Sequence, residues 1–316
     1  MHEPIYRKAL GSAWHLVMKH KLLWAFGLLS LLLGKYGWSS FLGQLAFFPA
    51  ERIPLTTALV SLPWWQFFVG KNIVWSIWLF VIVLGLSMVV ILASVAAEGT
   101  LIAAATSWYK GYRFVNLKTS WHRGVKHFWR LLGIHCFKKV LFLALLLLLN
   151  EVITLLLPSK NFFSVTLIIV LTTLGLFTAL GIAVTAIFAS GYVVEEEDSL
   201  RVAIQRGWEL FHEHLLVSFE ISGIFLAIEV VLAFVIASLA VWFLIPFVSL
   251  SLIAGFTGAT SLVSAGLAIS MLFFIVIIAL VGGFLNAYIV SVWMYLYMKM
   301  HHEGISSRIL HWFSRS

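Results

Sequence analysis

In this chain a tryptophan is followed six residues later by a histidine at three places, each time just before a long apolar run. The pairs are Trp14/His20, Trp121/His127 and Trp208/His214, and the residues in front of the tryptophans are small: Ala13, Ser120 and Gly207. Such a recurrence indicates a repeated unit, in which an amphipathic helix leads into an apolar one. We therefore predict a single domain built from three helix-pair units, at about 1–106, 107–194 and 195–316.

Composition places these units in a membrane. The chain is 62% hydrophobic and 11% charged, whereas an ordinary soluble domain is about 25% charged. A soluble protein of 316 residues could not bury that much apolar surface, while a bilayer accepts it. The single cysteine, Cys136, excludes an internal disulfide, and zinc sites need several ligands of this kind. We expect no metal and no cofactor.

Apolar runs of about 18 or more residues mark candidate membrane spans. Five such runs cover residues 73–97, 140–157, 164–194, 215–245 and 267–298. A weaker run at 22–34 is extended backward through Ala13, which leaves Lys19, His20 and Lys21 at the membrane interface. The sequence thus predicts an all-α, polytopic transmembrane bundle with six spans and with amphipathic lead-in helices before spans one, three and five. Segment 247–266 is left open as a loop or a re-entrant segment.

The basic residues give the orientation. Seventeen of the 21 lysines and arginines fall at the two termini and in the segments that follow spans two and four. Basic residues collect on the cytoplasmic side of a membrane. We therefore predict a multi-pass protein of a bacterial cytoplasmic membrane, with both termini in the cytoplasm.

The tryptophan and the histidine of each pair cannot form one compact site. Six residues at about 100° each place the two side chains about 240° apart around a helix. The indole is expected to anchor at headgroup depth, while the imidazole and neighbouring cations meet lipid phosphate or water. The candidate lipid-contacting residues are Trp14, His20, Trp121, Arg123, Lys126, His127, Arg130, Trp208 and His214.

One ionisable residue, Glu229, lies close to the middle of span five. Asn286 in span six is at a depth that differs by about 3 Å, so the two side chains form a candidate hydrogen-bonded pair. One interpretation is structural, with a neutral Glu229 bonded to Asn286 or to a threonine of span four. The other is a proton or cation relay. We favour the structural interpretation, because one central carboxylate without a basic partner makes a poor pathway.

Four consecutive acidic residues, 195–198, follow span four and precede the third lead-in helix. Acidic side chains suit a helix N-terminus, and Asp198 or Ser199 is the candidate cap. We expect capping and solvation here, with pairing to Lys118, Arg123 or Lys126.

Two short segments resemble a known family. The segment SLRVAIQRGWEL at 199–210, which an apolar run follows, and YLYMKM at 295–300 after span six resemble bacterial six-helix membrane proteins. These include the membrane domain attached to some glycerophosphodiester phosphodiesterases and stand-alone relatives of unknown function. The resemblance implies a helical membrane domain and no activity, since the phosphodiesterase chemistry of that family belongs to a separate soluble barrel, which this sequence does not contain. No catalytic residue can be assigned from it.

The function that we expect is non-enzymatic: an integral membrane protein that interacts with lipids or with a partner protein. The net charge of +8 favours anionic headgroups on the cytoplasmic side as partners; a protein partner or a second copy stays open, and we expect no nucleic acid. The alternative is a small transporter or channel that uses Glu229 and Asn286. An intramembrane enzyme comes third, because the sequence has no HExxH motif and no nucleophile elbow.

Overall fold

The protein is all-α, as the sequence predicts, over the residues that the computed structural model describes: 5–32, 73–111, 115–156, 161–257 and 260–303. Within those ranges the helices are α1 (Ile5–Lys19), α2 (Leu22–Leu31), α3 (Ile73–Tyr109), α4 (Leu117–Lys126), α5 (Phe128–Leu156), α6 (Phe162–Glu195), α7 (Leu200–Glu213), α8 (Leu215–Thr257) and α9 (Thr260–Glu303).

Five of these helices, α3, α5, α6, α8 and α9, contain stretches long and apolar enough to cross a membrane. The chain is therefore a multi-pass membrane protein. The helices extend beyond the predicted runs: α8 has 43 residues, or about 64 Å, against a hydrocarbon layer of about 30 Å. Segment 247–266 is helical on both sides of residues 258 and 259, since α8 continues to Thr257 and α9 begins at Thr260.

The first predicted span is not one continuous helix. Helix α1 ends at Lys19 and α2 begins at Leu22, and α2 has only 10 residues. The break falls where charged and polar side chains interrupt the apolar sequence. The predicted end of this span at residue 34 lies outside the described residues.

The three repeated histidines occupy equivalent junctions between helices. The backbone N–H of His20, His127 and His214 donates to the carbonyl four residues earlier, over 3.1, 3.2 and 3.2 Å. The carbonyls of the same residues accept from an N–H of the next helix, at Leu23, Leu131 and Ser218. Each histidine thus links a short helix to the apolar helix that follows it without leaving its own backbone groups unpaired. We call the end of the bundle that contains these histidines the junction end.

Each of the short helices α1, α4 and α7 packs against a long apolar helix. Helix α4 contacts α3, α7 contacts α6, and α1 contacts α9, which closes the arrangement into a ring. Helices α3, α6 and α9 also contact one another at its centre. There the Tyr109 hydroxyl donates to the Ser291 carbonyl over 3.0 Å, and the ring of Phe188 packs on that of Trp293 with centroids 5.7 Å apart.

Small residues allow these helices to approach closely. Ala13, Ser120 and Gly207, the residues in front of the repeated tryptophans, are all buried. A Cβ at Gly207 would lie 2.9 Å from the Thr185 carbonyl oxygen, which is closer than carbon normally comes. Gly27 of α2 faces the Gly283 backbone of α9 even more tightly. Close backbone contact through small residues is a common way for helices to associate in membranes.

Burial divides α3 into two parts. Residues 94–106 are all buried, whereas residues 77–92 are almost all exposed and apolar. The exposed part is about 24 Å long at 1.5 Å per residue, close to the thickness of a hydrocarbon layer. The tightly packed core therefore lies at the junction end, and the helices present apolar side chains to their surroundings beyond it.

The contact between α2 and α9 gives the first prediction. Replacing Gly27 by alanine places a methyl group against the Gly283 backbone, which cannot move away as a flexible side chain could. We expect a loss of about 1–3 kcal/mol in stability, the usual cost of overpacking, measured as a lower melting temperature in detergent. Gly85→Ala is the control, because nothing lies within 4 Å of that position. Equal melting temperatures for the two variants would contradict the close contact.

Candidate functional site

The acidic residues 195–198 form the centre of an ion-pair network at the junction end, and we call them the acidic turn. Each acid pairs with a different part of the chain. The Glu195 carboxylate pairs with Lys110, that of Glu196 lies 3.7 Å from His301 Nε2, that of Glu197 lies 2.5 Å from Lys126 Nζ, and that of Asp198 lies 2.9 Å from Arg206 Nη1. The turn thereby connects the ends of α3, α4 and α9 and the body of α7.

Two of the predicted lipid-contacting cations belong to this network. Lys126 pairs with Glu197, as the sequence predicts for one of three candidates. Arg130 Nη1 donates to the backbone carbonyls of Glu197 and Asp198, over 2.7 and 3.3 Å. Glu197 takes a left-handed backbone conformation, with φ 59°, which turns its carbonyl and its carboxylate toward α4 and α5. These interactions leave less of the charge of Lys126 and Arg130 for lipid phosphate.

A second polar cluster lies inside the bundle, between α3 and α5. Glu98, His135 and Lys138 are 1%, 2% and 3% exposed. His135 Nε2 lies 2.7 Å from Glu98 Oε2, and Lys138 is within electrostatic reach of the same carboxylate. Buried charges are expensive unless they are paired. One carboxylate and one ammonium group together give a cluster without net charge when the imidazole is neutral.

The predicted spans do not include this cluster, because hydropathy ends a span at the first charged residue. One predicted span ends at residue 97 and the next begins at residue 140, so Glu98, His135 and Lys138 fall outside both. Helices α3 and α5 continue through these positions. The spacing of these residues could have predicted the cluster. His135 and Lys138 are three residues apart and therefore lie on one face of a helix, and Glu98 lies in uninterrupted helical sequence.

Glu229 and Asn286 do not form the hydrogen bond that their depths suggested. The Asn286 side-chain amide donates to the Gly27 carbonyl over 3.0 Å and to Ser30 Oγ over 3.2 Å, so it joins α9 to α2. The reason is the close approach at Gly27, which brings the α2 backbone within reach of Asn286. Glu229 is half-buried on α8. Thr173 and Thr178, two candidate partners for it, bond to carbonyls of their own helix.

The repeated tryptophans lie at the surface, whereas the histidines differ. Trp14, Trp121 and Trp208 are 47%, 36% and 51% exposed, but His127 is only 3% exposed. His127 Nε2 lies 3.9 Å from the Glu197 carboxylate, so this histidine faces the protein rather than the surroundings. His20 packs its ring against Trp108, and His214 is half-buried.

His20 and His127 favour their neutral forms. Burial lowers the pKa of His127 below its usual value, which Glu197 opposes and neighbouring cations reinforce. Burial also lowers the pKa of His20, helped by Lys19. The pKa of the Glu197 carboxyl is lowered by its hydrogen bond with Lys126. At the junction end, burial therefore favours the neutral forms of His20 and His127, while the bond with Lys126 favours the ionised form of Glu197.

Comparisons with known proteins return nothing: no family model, no curated protein and no solved structure matches this chain.

The buried cluster gives the second prediction. Glu98→Gln leaves Lys138 buried without its counter-charge, and we expect a loss of about 3–5 kcal/mol, as for one partner of a buried ion pair. The double variant Glu98→Gln/Lys138→Met removes both charges and should recover much of that loss. Melting temperatures of the two single variants and the double variant form a thermodynamic cycle. Additive effects of the two substitutions would show that the two charges do not interact.

The junction histidines give the third prediction. Because the folded pKa of His127 lies below the unfolded value of 6.5, the unfolded state binds a proton first, and stability falls as the pH drops below about 6.5. The lowered pKa of Glu197 acts in the same direction, but only below the usual pKa of a glutamate. Melting temperatures between pH 7.5 and 5.5 should therefore fall less in a His20→Gln/His127→Gln variant, while His122→Gln, at an exposed histidine, should resemble the wild type. An unchanged pH profile in the double variant would refute this assignment.

Proposed function

We propose that this protein is a six-span protein of a bacterial cytoplasmic membrane, that its junction end and both termini face the cytoplasm, and that it binds anionic lipids there rather than catalysing a reaction. The observation that carries the proposal is the repeated placement of an exposed tryptophan directly after a buried small residue on each short helix. The resemblance to the six-helix membrane domains is part of the same proposal.

The geometry of the short helices suits a membrane surface. Adjacent residues on a helix point about 100° apart, so a buried Ala13, Ser120 or Gly207 directs the following tryptophan to the edge of the packed face. Indole rings prefer headgroup depth, and an amphipathic helix lies in the plane of the interface with its apolar side inward. Three helices fixed in a ring by packing would hold three indoles at one level of the membrane.

The cations that remain for lipid are not all the expected ones. Lys126 and Arg130 interact with the acidic turn. Among the described residues no ion pair is found for Lys118, Arg123 or Arg201, and all three are exposed. Each basic residue near an anionic surface contributes about 1 kcal/mol of attraction. We therefore assign the lipid attraction mainly to these three residues.

The fourth prediction tests lipid binding. In liposomes, phospholipids brominated near the headgroup should quench the fluorescence of Trp14, Trp121 and Trp208, measured as the fraction of quenching that each Trp→Phe variant removes. Lys118→Gln/Arg123→Gln should lower the retention of anionic lipid during purification by about five-fold for each cation removed. Lys126→Gln is the control, because that ammonium group already has a carboxylate partner. Normal lipid retention in the double variant, together with unquenched tryptophans, would refute the proposal.

A second candidate function is a small transporter or channel. The sequence suggested Glu229 and Asn286 for this role, but the observation that favours it now is the buried Glu98–His135–Lys138 cluster, since intramembrane ionisable groups mark ion and proton pathways. Proton or cation flux into the same liposomes that is lost in Glu98→Gln would support transport, provided that the variant remains folded. Lipid binding without flux would support the first candidate.

A further inference from the structure

A lateral cavity of about 230 Å³ lies between α5, α6 and α7, in a part of the molecule that the acidic turn and the buried cluster do not use. Its lining comes from all three helices: Ile134, Phe137, Leu141, Ile182, Thr185, Ala186, Ile204 and Trp208. Every one of these side chains except Thr185 is apolar or aromatic. We call this cavity the lateral groove.

The groove faces the surroundings of the bundle. Phe137 on its wall is 43% exposed and Trp208 is 51% exposed. The neighbouring residues Val140 and Leu143 on α5 and Leu174 on α6 are exposed and apolar too. The apolar wall of the groove is thus continuous with a surface suited to hydrocarbon, and a chain can enter it sideways from the bilayer.

Thr185 is the one polar group on the wall. It is 6% exposed, and its hydroxyl has no hydrogen-bond partner among the described residues. The buried hydroxyl of Ser190 on the same helix donates to the Ala186 carbonyl four residues earlier, and Thr100 on α3 donates to Ala96 in the same way. Buried polar groups normally have a partner. A ligand oxygen in the groove would supply one for Thr185.

A cation lies on the same helix face as the groove lining of α7. Arg201 is one turn before Ile204 and two turns before Trp208, so the three side chains follow one side of that helix. Arg201 is exposed, and no ion pair is found for it in the described part of the chain. The guanidinium group is well suited to phosphate. The groove therefore combines an apolar slot, an unsatisfied hydroxyl donor and an exposed arginine.

We propose that the lateral groove is a specific site for one anionic phospholipid. An acyl chain fills the groove, an ester oxygen accepts a hydrogen bond from the Thr185 hydroxyl, and the headgroup phosphate binds Arg201. This inference rests on the proposed function and deepens it, because it distinguishes one built lipid site from general attraction to the surface. The continuity of the groove with the lipid-facing surface and the charge of Arg201 identify a membrane lipid as the occupant.

The test compares two lipids that differ only in their headgroups. Protein in nanodiscs of phosphatidylglycerol or phosphatidylcholine with identical chains is released into detergent, and retained lipids are counted by native mass spectrometry. The wild type should retain one phosphatidylglycerol. Arg201→Gln should weaken that retention about five-fold, and Thr185→Val, which keeps the side-chain shape, should weaken it as well. Arg7→Gln is the matched control, because it removes an exposed cation of α1, away from the groove.

A filled groove gives the complementary experiment. Ile204→Trp should displace the acyl chain and abolish the retained lipid, whereas Val202→Trp places the same ring on an exposed position of α7 and should leave it bound. A fluorescent label on Cys136, which is exposed and directly precedes Phe137, reports occupancy independently. Its emission in the wild type should change when phosphatidylglycerol is added, and this change should be absent in Ile204→Trp.

The outcomes separate the two proposals. If a folded Ile204→Trp retains phosphatidylglycerol, or if neither Arg201→Gln nor Thr185→Val lowers retention, the groove is not a lipid site. The proposed function then still stands if the repeated tryptophans are quenched by brominated lipid. If the tryptophans are not quenched either, the proposed function is wrong. Should Ile204→Trp fail to fold, the near-isosteric Thr185→Val and the label on Cys136 still decide the question.

Discussion

The packing of each short helix onto a central helix is the contact on which the rest of the structure depends. It requires a residue with little or no side chain at the contact, because the backbones of α7 and α6 meet at Gly207 and those of α4 and α3 meet at Gly99 and Gly124. Lipid tails are as apolar as leucine, so in a membrane such contacts are favoured by close packing rather than by expulsion of water. The same contact fixes the direction of the neighbouring tryptophan, and it brings the acidic turn within reach of its cations.

The charges at the junction end are arranged in two layers, which differ in the free energy that it costs to remove their charges from water. The outer layer is the acidic turn, where partly exposed pairs such as Glu197 with Lys126 cost little to form and contribute little individually. The inner layer is the cluster of Glu98, His135 and Lys138, where each charge depends on the others. An acidic turn that neutralises Lys126 and Arg130 also reduces the mutual repulsion of the basic segment between α3 and α5. This explains how so many lysines and arginines can gather at one end of a compact bundle.

The helical class and the membrane character of the chain could be read from the sequence because they depend on residue type and period alone. The ends of the helices could not be read from the sequence. Helix α3 continues past Glu98 because this residue is surrounded by protein rather than by lipid. The pairing of Glu229 with Asn286 failed for a related reason: equal depth says nothing about the direction in which two side chains point. Asn286 turns toward Gly27, where the α2 backbone comes closest. The lateral groove could not be predicted either. Its walls come from three different helices, and the periodicity of a sequence does not show which helices contact one another.

The groove and the ring of short helices have one structural origin. Gly207 brings α7 close to α6 at Thr185, while the neighbouring Trp208 is too large to enter that contact and lies against the groove instead. At the other end of the groove, the Leu200 side chain packs on Gly133 of α5, which holds the first turn of α7 over that helix. Helix α7 therefore spans the gap between α5 and α6 without filling it.

A small residue followed by a tryptophan creates both a tight helix contact and an open slot beside it, and at α7 an arginine lies one turn from that slot. In the other two repeats the same dipeptide meets different surroundings. Trp14 packs on Phe284 of α9 and Trp121 packs on Phe26 of α2, whereas Trp208 packs on Phe211 and His212 of its own helix.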